Sequence, residues 1–319
     1  RAPRLVGHAR RMTRRTLVVV RNLPSPPRGG GDVRALAIVH ALADLGPTSV
    51  FGFTGDGPPP RDDLTGWRAS TVVGAAGSGD QLVDALRAER SPFLVVDAPD
   101  AAAELAEVLG EVEPDLVVVC GFELSAYLPV VRDRSPRLVI DLDYARARAV
   151  GDLAAVDPNR RRALLWRHIG SLVDGEERAA AELADQVWVC SGTEAERMRE
   201  AEITDHPVAV VPNAVDVTSY PTAHPTAPGR SSRLLFLARF DYWPNEVAAR
   251  TLVDDVMPGL PDCELALVGA APAPWMRELV DAHVTVTGPV ADVRPHLADA
   301  WAMPVPLTAG AGTRVKILE

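Results

Sequence analysis

The residues best suited to chemistry lie near the carboxyl end, in Pro306-Leu-Thr-Ala-Gly-Ala-Gly-Thr-Arg-Val-Lys-Ile-Leu-Glu319. An apolar run ends at Pro306, a turn bearing Gly310 and Gly312 follows, and a helix is expected to open near Gly312. Free backbone amides in such a turn, from Gly310 to Thr313, attract an anion, as does the positive end of a helix dipole. On that helix Gly312, Lys316 and Glu319 fall at i, i+4 and i+7, so a bare backbone, a cation and a carboxylate share one face. That order suits phosphates followed by a ribose diol. A capped helix with Lys316 and Glu319 in solvent accounts for the same residues, and the geometry alone leaves both readings open.

Further carboxylates stand where an open α/β sheet places its ligands. Asp97, Glu123, Asp141 and Asp143 come at or just after the carboxyl ends of predicted strands. Any of them could orient or deprotonate a hydroxyl, and Asp141 is the first choice. Asp141-Leu-Asp143 has the form of a metal-binding triplet, but it is read as a pair lining a cleft, and no metal site is assigned. Gly29-Gly-Gly31 follows the first apolar run and opens a helix. Gly30 and Gly31 would let a phosphate or an acceptor approach the backbone, or form a plain β–α turn. Arg34 breaks the G-x-G-x-x-G spacing, so a nicotinamide fingerprint is not supported. The histidines form no cluster, with His40 and His168 in helical patterns, and Trp243 and Trp275 stand at expected helix starts.

The elements that must position these residues come from the hydrophobic pattern. Leu17–Val20, Phe93–Val96, Leu116–Val119, Leu138–Ile140, Val187–Val189 and Val208–Val211 are short apolar runs, as in parallel strands buried on both faces. Helical patterns lie between them, from Asp32 to Ala43 and from Pro158 to Asp185, the latter with a break expected at Gly170 or Gly175. The pattern then restarts. Strands are expected at Leu234–Leu237, Leu265–Val268, Val284–Val286 and Met303–Val305, and helices at Pro244–Val256, Pro272–Ala282 and Asp292–Ala300. The proline-rich stretch 221–230 reads as a linker. The expected organisation is therefore a basic tail at 1–15, a Rossmann-like domain at 16–220, the linker, and a second such domain at 231–319. The two would face each other across a cleft, with the second incomplete.

The whole-chain numbers narrow the function classes. A chain of 319 residues suits two domains. A net charge of -10 argues against nucleic acid as a partner and leaves room for a small anionic ligand. Cys120, Cys190 and Cys263 fit no metal-ligand spacing and read as free thiols in a reducing cytoplasm. No apolar run approaches the roughly 20 residues of a membrane span. Residues 1–15 carry six arginines and no acid, a segment suited to peripheral contact with anionic lipid on the inner face of a membrane, or simply a tail.

The terminal segment resembles a known family when taken with three others: Arg233-Leu-Leu-Phe-Leu-Ala-Arg-Phe-Asp-Tyr-Trp-Pro-Asn245, Leu267-Val-Gly-Ala-Ala-Pro272 and Val284-Thr-Val-Thr-Gly-Pro-Val-Ala-Asp-Val-Arg294. Together they are similar to the donor domain of family 4 glycosyltransferases of GT-B fold. Leu23–Arg34, Val187–Ser191 and Val210–Asp216 resemble that family's first domain more loosely. The resemblance implies a metal-independent hexosyltransferase-like enzyme of polysaccharide or glycoconjugate biosynthesis. It would move a sugar, with retention, from a UDP- or GDP-type nucleotide sugar to an acceptor hydroxyl, and no separate cofactor is implied. A non-catalytic sugar-nucleotide-binding homologue and a nucleotide-sugar epimerase are the alternatives. The resemblance assigns Arg239 to the diphosphate and Glu319 to the ribose. Asn245 stands where many members have a second diphosphate-binding lysine, and Ala311 where the sugar-contacting glutamate falls, so Lys316 would supply the missing charge. Arg239 and Lys316 would then stabilise the departing diphosphate, and Gly310, Gly312 and Thr313 would lend amides.

Overall fold

The computed structural model describes residues 14–22, 29–54, 63–70, 79–94, 99–220, 232–279 and 283–318. The tail up to residue 13, the linker 221–230, Asp97 and Glu319 lie outside the described residues. The described chain divides into two units. One runs as far as Val215 and takes back Ala311–Leu318, and the other is Asp216–Gly310, so the segment expected within a domain 231–319 is shared between them.

The first unit holds strands β1 (Thr16–Asn22), β2 (Thr48–Thr54), β3 (Gly66–Ala69), β4 (Leu116–Cys120), β5 (Leu138–Asp143), β6 (Gln186–Val189) and β7 (Val208–Val210). They form one parallel sheet in the order 3-2-1-4-5-6-7. Its helices are α1 (Gly30–Leu45), α2 (Gly79–Arg87), α3 (Pro99–Val112), α4 (Leu128–Arg132), α5 (Arg146–Val156), α6 (Arg160–Leu183) and α7 (Gly192–Glu200). Alternate residues of the apolar strands serve opposite faces. Leu17, Val19, Val117 and Val119 enter the larger core with Leu105, Tyr127 and Ile169, whereas Val18, Val20 and Val118 meet Ala35, Ile38 and Leu42 of α1. Both faces are thus apolar, which is why these strands read as continuous hydrophobic runs. The order reverses between β1 and β4, and an open sheet of this kind binds ligands outside the carboxyl ends of its strands at that point.

Two expectations change in this unit. β2 and β3 are strands that the pattern did not announce, and the expected strand Phe93–Val96 is not one at residues 93–94, its remainder lying outside the described residues. The long helix α6 is unbroken at Gly170 and Gly175. Asn159 caps it, its side chain accepting from the amides of Arg161 and Arg162 at 3.0 and 3.1 Å.

The second unit holds β8 (Ser232–Leu237), β9 (Cys263–Val268) and β10 (Val284–Gly288), a parallel sheet in the order 10-9-8. Its helices α8 (Trp243–Arg250), α9 (Pro274–Glu278) and α10 (Arg294–Asp299) flank the sheet, and α11 (Val315–Leu318) follows in the returning segment of the first unit. Residues 303–305 form no strand. Only a single bridge, between Leu234 and Ala302, prolongs the sheet there. Gly269 closes β9 with φ +142, its amide donating to Gly288 O at 3.2 Å. A Cβ at that position would stand 1.8 Å from the carbonyl oxygen of Ala238. Backbone cannot yield as a side chain can, so Gly269→Ala is expected to destabilise the second unit by more than about 3 kcal/mol, measured by urea unfolding.

Candidate functional site

The carboxyl edge of the large sheet is organised around Arg34, the fifth residue of α1. Its side chain is 4% exposed. Nη2 and Nε donate to the two oxygens of Asp141 at 2.6 and 2.8 Å, and Nη1 donates to Val211 O at 2.7 Å and to Asn213 Oδ1 at 2.8 Å. Burial works against the guanidinium's charge, but its bonds to Asp141 and the charge of that carboxylate prevail and hold it protonated. Burial likewise pushes the Asp141 carboxyl up, and the guanidinium opposes that rise. Both oxygens of Asp141 are therefore committed to Arg34.

Asp143 differs, although it lies only two residues on. It adopts φ +64, in the left-handed region, where β5 carries an irregularity against β6. Its side chain is 27% exposed, and Oδ1 lies 3.6 Å from Arg34 Nε with no hydrogen-bond partner among the described residues. Burial raises its pKa, and Arg34 and the Cys190 thiol pull the other way. A strained backbone and an unfilled carboxylate oxygen at a strand end are features of a working site.

The returning segment Ala311–Leu318 closes over this edge. Gly312 has φ +74, and a Cβ there would meet Tyr144 Cδ1 at 3.3 Å, Cys190 Sγ at 3.7 Å and Asp143 Oδ2 at 3.8 Å. Its amide donates to Glu194 Oε1 at 3.1 Å, and that of Thr313 to Cys190 Sγ at 3.2 Å. Asn213 Nδ2 completes the attachment, donating to Thr313 O at 3.3 Å. Glu194 stands three residues after Ser191, which caps α7 by accepting its amide at 3.2 Å. The sequence signal is a capping box, yet the carboxylate spends its second oxygen on the Ala145 amide at 3.1 Å.

Each residue named from sequence can now be placed. Gly30, Asp141, Gly312, Thr313 and Lys316 belong to the first unit, Arg239 and Gly310 to the second. Gly30 and Gly31 begin α1 without positive φ, so neither is required by the turn. A Cβ at Gly30 would meet Val315 Cγ2 at 3.4 Å, and one at Gly31 would meet nothing. The helix starts at Val315, not near Gly312, so Gly312 precedes it in a left-handed turn and Lys316, half-buried, does not share a helical face with it. In the second unit Arg239 is exposed and pairs with Asp241 at 2.5 and 3.2 Å, which raises its pKa. Asn245 is buried and donates to Arg239 O at 2.8 Å, bracing the backbone where a charge was expected. Trp275 donates to Glu246 at 2.8 Å and lies under Arg250, a packing role. Gly310 has φ +114. Among the described residues no group of three or more His, Cys, Asp or Glu is placed to hold a metal ion.

With this geometry in view, comparison with known proteins becomes specific. Residues 231–319 match the family model described as glycosyl transferases group 1. No curated protein sequence matches the chain. Among solved structures, a sucrose-phosphate synthase from Thermosynechococcus elongatus is 16% identical with a TM-score of 0.69, the match covering 96% of this chain and 78% of that one. Anabaena HepE in complex with UDP is 16% identical with a TM-score of 0.59, over 95% and 77% of the two chains. A Listeria monocytogenes protein described as a UDP-N-acetylglucosamine 2-epimerase gives 12% and 0.51, over 92% and 74%. The fold is that of the GT-B glycosyltransferases.

Arg34, Glu194, Cys190 and Asn213 escaped the sequence reading. Arg34 carried a signal, a charged residue three positions after a glycine run where a helix must pack on a sheet. Nearby, Glu177 of α6 is fully buried and accepts the amides of Arg146 and Ala147 at 2.8 and 3.2 Å, capping α5 from outside. Burial pushes its pKa from 4.5 to about 7.

Two predictions come from these buried charges. Arg34→Met leaves Asp141 alone in the interior and is expected to cost about 3–5 kcal/mol at pH 7, most of which Arg34→Met combined with Asp141→Leu regains, by urea unfolding. Folded Glu177 holds its proton more tightly than the unfolded chain does. Its contribution is therefore full below about pH 4.5 and lost as pH rises through about 7. Glu177→Gln should remove this slope, so that the stability difference between the two proteins changes by on the order of 3 kcal/mol between those limits.

Proposed function

We propose that this protein is a glycosyltransferase that moves a sugar from a UDP- or GDP-type nucleotide sugar to an acceptor hydroxyl, with retention and without a metal. The observation that carries the reading is the family match over residues 231–319, the stretch that holds Arg239, the Gly310–Gly312 turn and Lys316. The likeness in fold to a UDP complex supports it. Cleavage of the anomeric C–O bond leaves negative charge on the diphosphate, and Arg239 and Lys316 supply fixed cations for it, as would the amides of Gly312 and Thr313 once released from Glu194 and Cys190. Glu319 takes the ribose. On the acceptor side Asp143, partly exposed at the carboxyl end of β5, orients the hydroxyl, and Asp141 acts through Arg34 as a positioning residue. Gly31 leaves the start of α1 bare for a phosphate or acceptor, whereas Gly30 faces Val315.

The epimerase among the structural neighbours keeps a second reading in play. Calorimetry with UDP and GDP, followed by turnover of a panel of sugar nucleotides in EDTA, separates the two. A transferase yields a glycosylated product and free nucleotide diphosphate, whereas an epimerase returns an isomeric sugar nucleotide. Arg239→Ala is expected to weaken nucleotide binding by at least about tenfold, the worth of one charge-assisted contact. Binding without turnover would sink the enzyme reading, and the absence of any binding would sink the sugar-nucleotide reading altogether.

A further inference from the structure

The hairpin of α5 and α6 carries a surface that the transfer reaction does not use. Asp185, directly after α6, binds the amide of Leu138 at the amino end of β5, so α6 ends at the amino edge of the sheet. Glu177, near that end, caps the start of α5, and Gly170 lies against Val150 and the carbonyl of Ala147. The two helices are therefore antiparallel. The tip, where Asp157 pairs with Arg162, projects toward the carboxyl side of the sheet, about 25 Å along α6 from Glu177.

On the tip the outward face of α6 reads Arg160, Arg161, Leu164, Arg167 and His168, all exposed. Among the described residues Arg160, Arg161 and Arg167 make no side-chain ion pair, and no acid lies on this face between them. Most other arginines of the unit are paired, among them Arg132, Arg146, Arg178 and Arg197. In their midst Leu164 is 62% exposed, and Val156, at the end of α5, is 48% exposed. Three uncompensated cations around protruding aliphatic side chains, on a chain of net charge -10, are not a generic solvated face.

We propose that this tip docks the protein on an anionic bilayer surface. The arginines meet lipid phosphates, and Leu164 and Val156 enter the headgroup–acyl boundary. Nucleic acid would satisfy the cations but offers nothing to the aliphatic pair. The tip and the carboxyl edge with Arg34 and Asp143 are on the same side of the sheet, which brings that edge toward the membrane.

The test is co-sedimentation of the full chain with vesicles of phosphatidylglycerol and phosphatidylcholine, against phosphatidylcholine alone, across a salt series. Binding to the anionic vesicles that falls with salt is expected. Arg160→Gln, Arg161→Gln and Arg167→Gln together should weaken it about a hundredfold, at roughly fivefold per cation near the surface. Leu164→Asp alone should weaken it as well, and circular dichroism should be unchanged for these surface variants. Replacing Arg1, Arg4, Arg10 and Arg11 by Gln controls for the basic tail and should leave most of the binding. Equal binding to neutral vesicles, an unaffected triple variant, or loss confined to the tail variant would overturn the proposal. Capture by duplex DNA as tight as by anionic vesicles and indifferent to Leu164→Asp would assign the arginines to nucleic acid instead.

Discussion

A guanidinium cannot be buried unless nearly all of its donors are met, and this requirement on Arg34 shapes the whole carboxyl edge of the large sheet. The acceptors come from three places: Asp141 on β5, the carbonyl of Val211 just past β7, and Asn213 beyond it. α1 is thereby tied by polar bonds to β5 and to the segment after β7, in addition to the apolar cluster it shares with β1, β2 and β4. Asn213 then passes the tie onward to Thr313. The bidentate pair also divides labour between two aspartates. Asp141 is consumed in holding Arg34, and Asp143, at the irregularity in β5, keeps one buried oxygen without a hydrogen bond, 3.6 Å from the same guanidinium.

The parallel strands were legible where both faces are apolar, as in Leu116-Val-Val-Val-Cys120, because burial on both sides writes an unbroken hydrophobic run. β2, Thr48-Ser-Val-Phe-Gly-Phe-Thr54, carries a glycine and polar ends, and β3 is four residues long and half-buried, so neither run stands out from a loop. Met303–Val305 shows the converse. It has strand composition but lies beyond the paired part of the second sheet, with only a bridge at Ala302 beside it. Glycines at 170 and 175 did not break α6, since neighbouring residues such as Ile169 and Val173 are wholly buried and their packing outweighs about 1 kcal/mol of propensity at each glycine.

The site was legible in its residue types and less so in its roles. Gly310 and Gly312 were recognisable as turn formers, and both take positive φ. What could not be read is which partner a side chain chooses. Glu194 follows Ser191 at capping-box spacing yet serves Ala145 and Gly312, and Asn245 serves the carbonyl of Arg239. Such choices are made by tertiary placement, and local spacing does not encode them.

The attachment of the returning segment has one more consequence. The amide donors of Gly312 and Thr313 end on a carboxylate and a thiol, and the carbonyl of Thr313 on an amide side chain. The partners are side-chain groups, so none of these bonds belongs to a strand ladder. The backbone of Gly312 and Thr313 is held through the side chains of Glu194, Cys190 and Asn213, and turning the first two away frees two adjacent backbone N–H groups without breaking a ladder of the sheet.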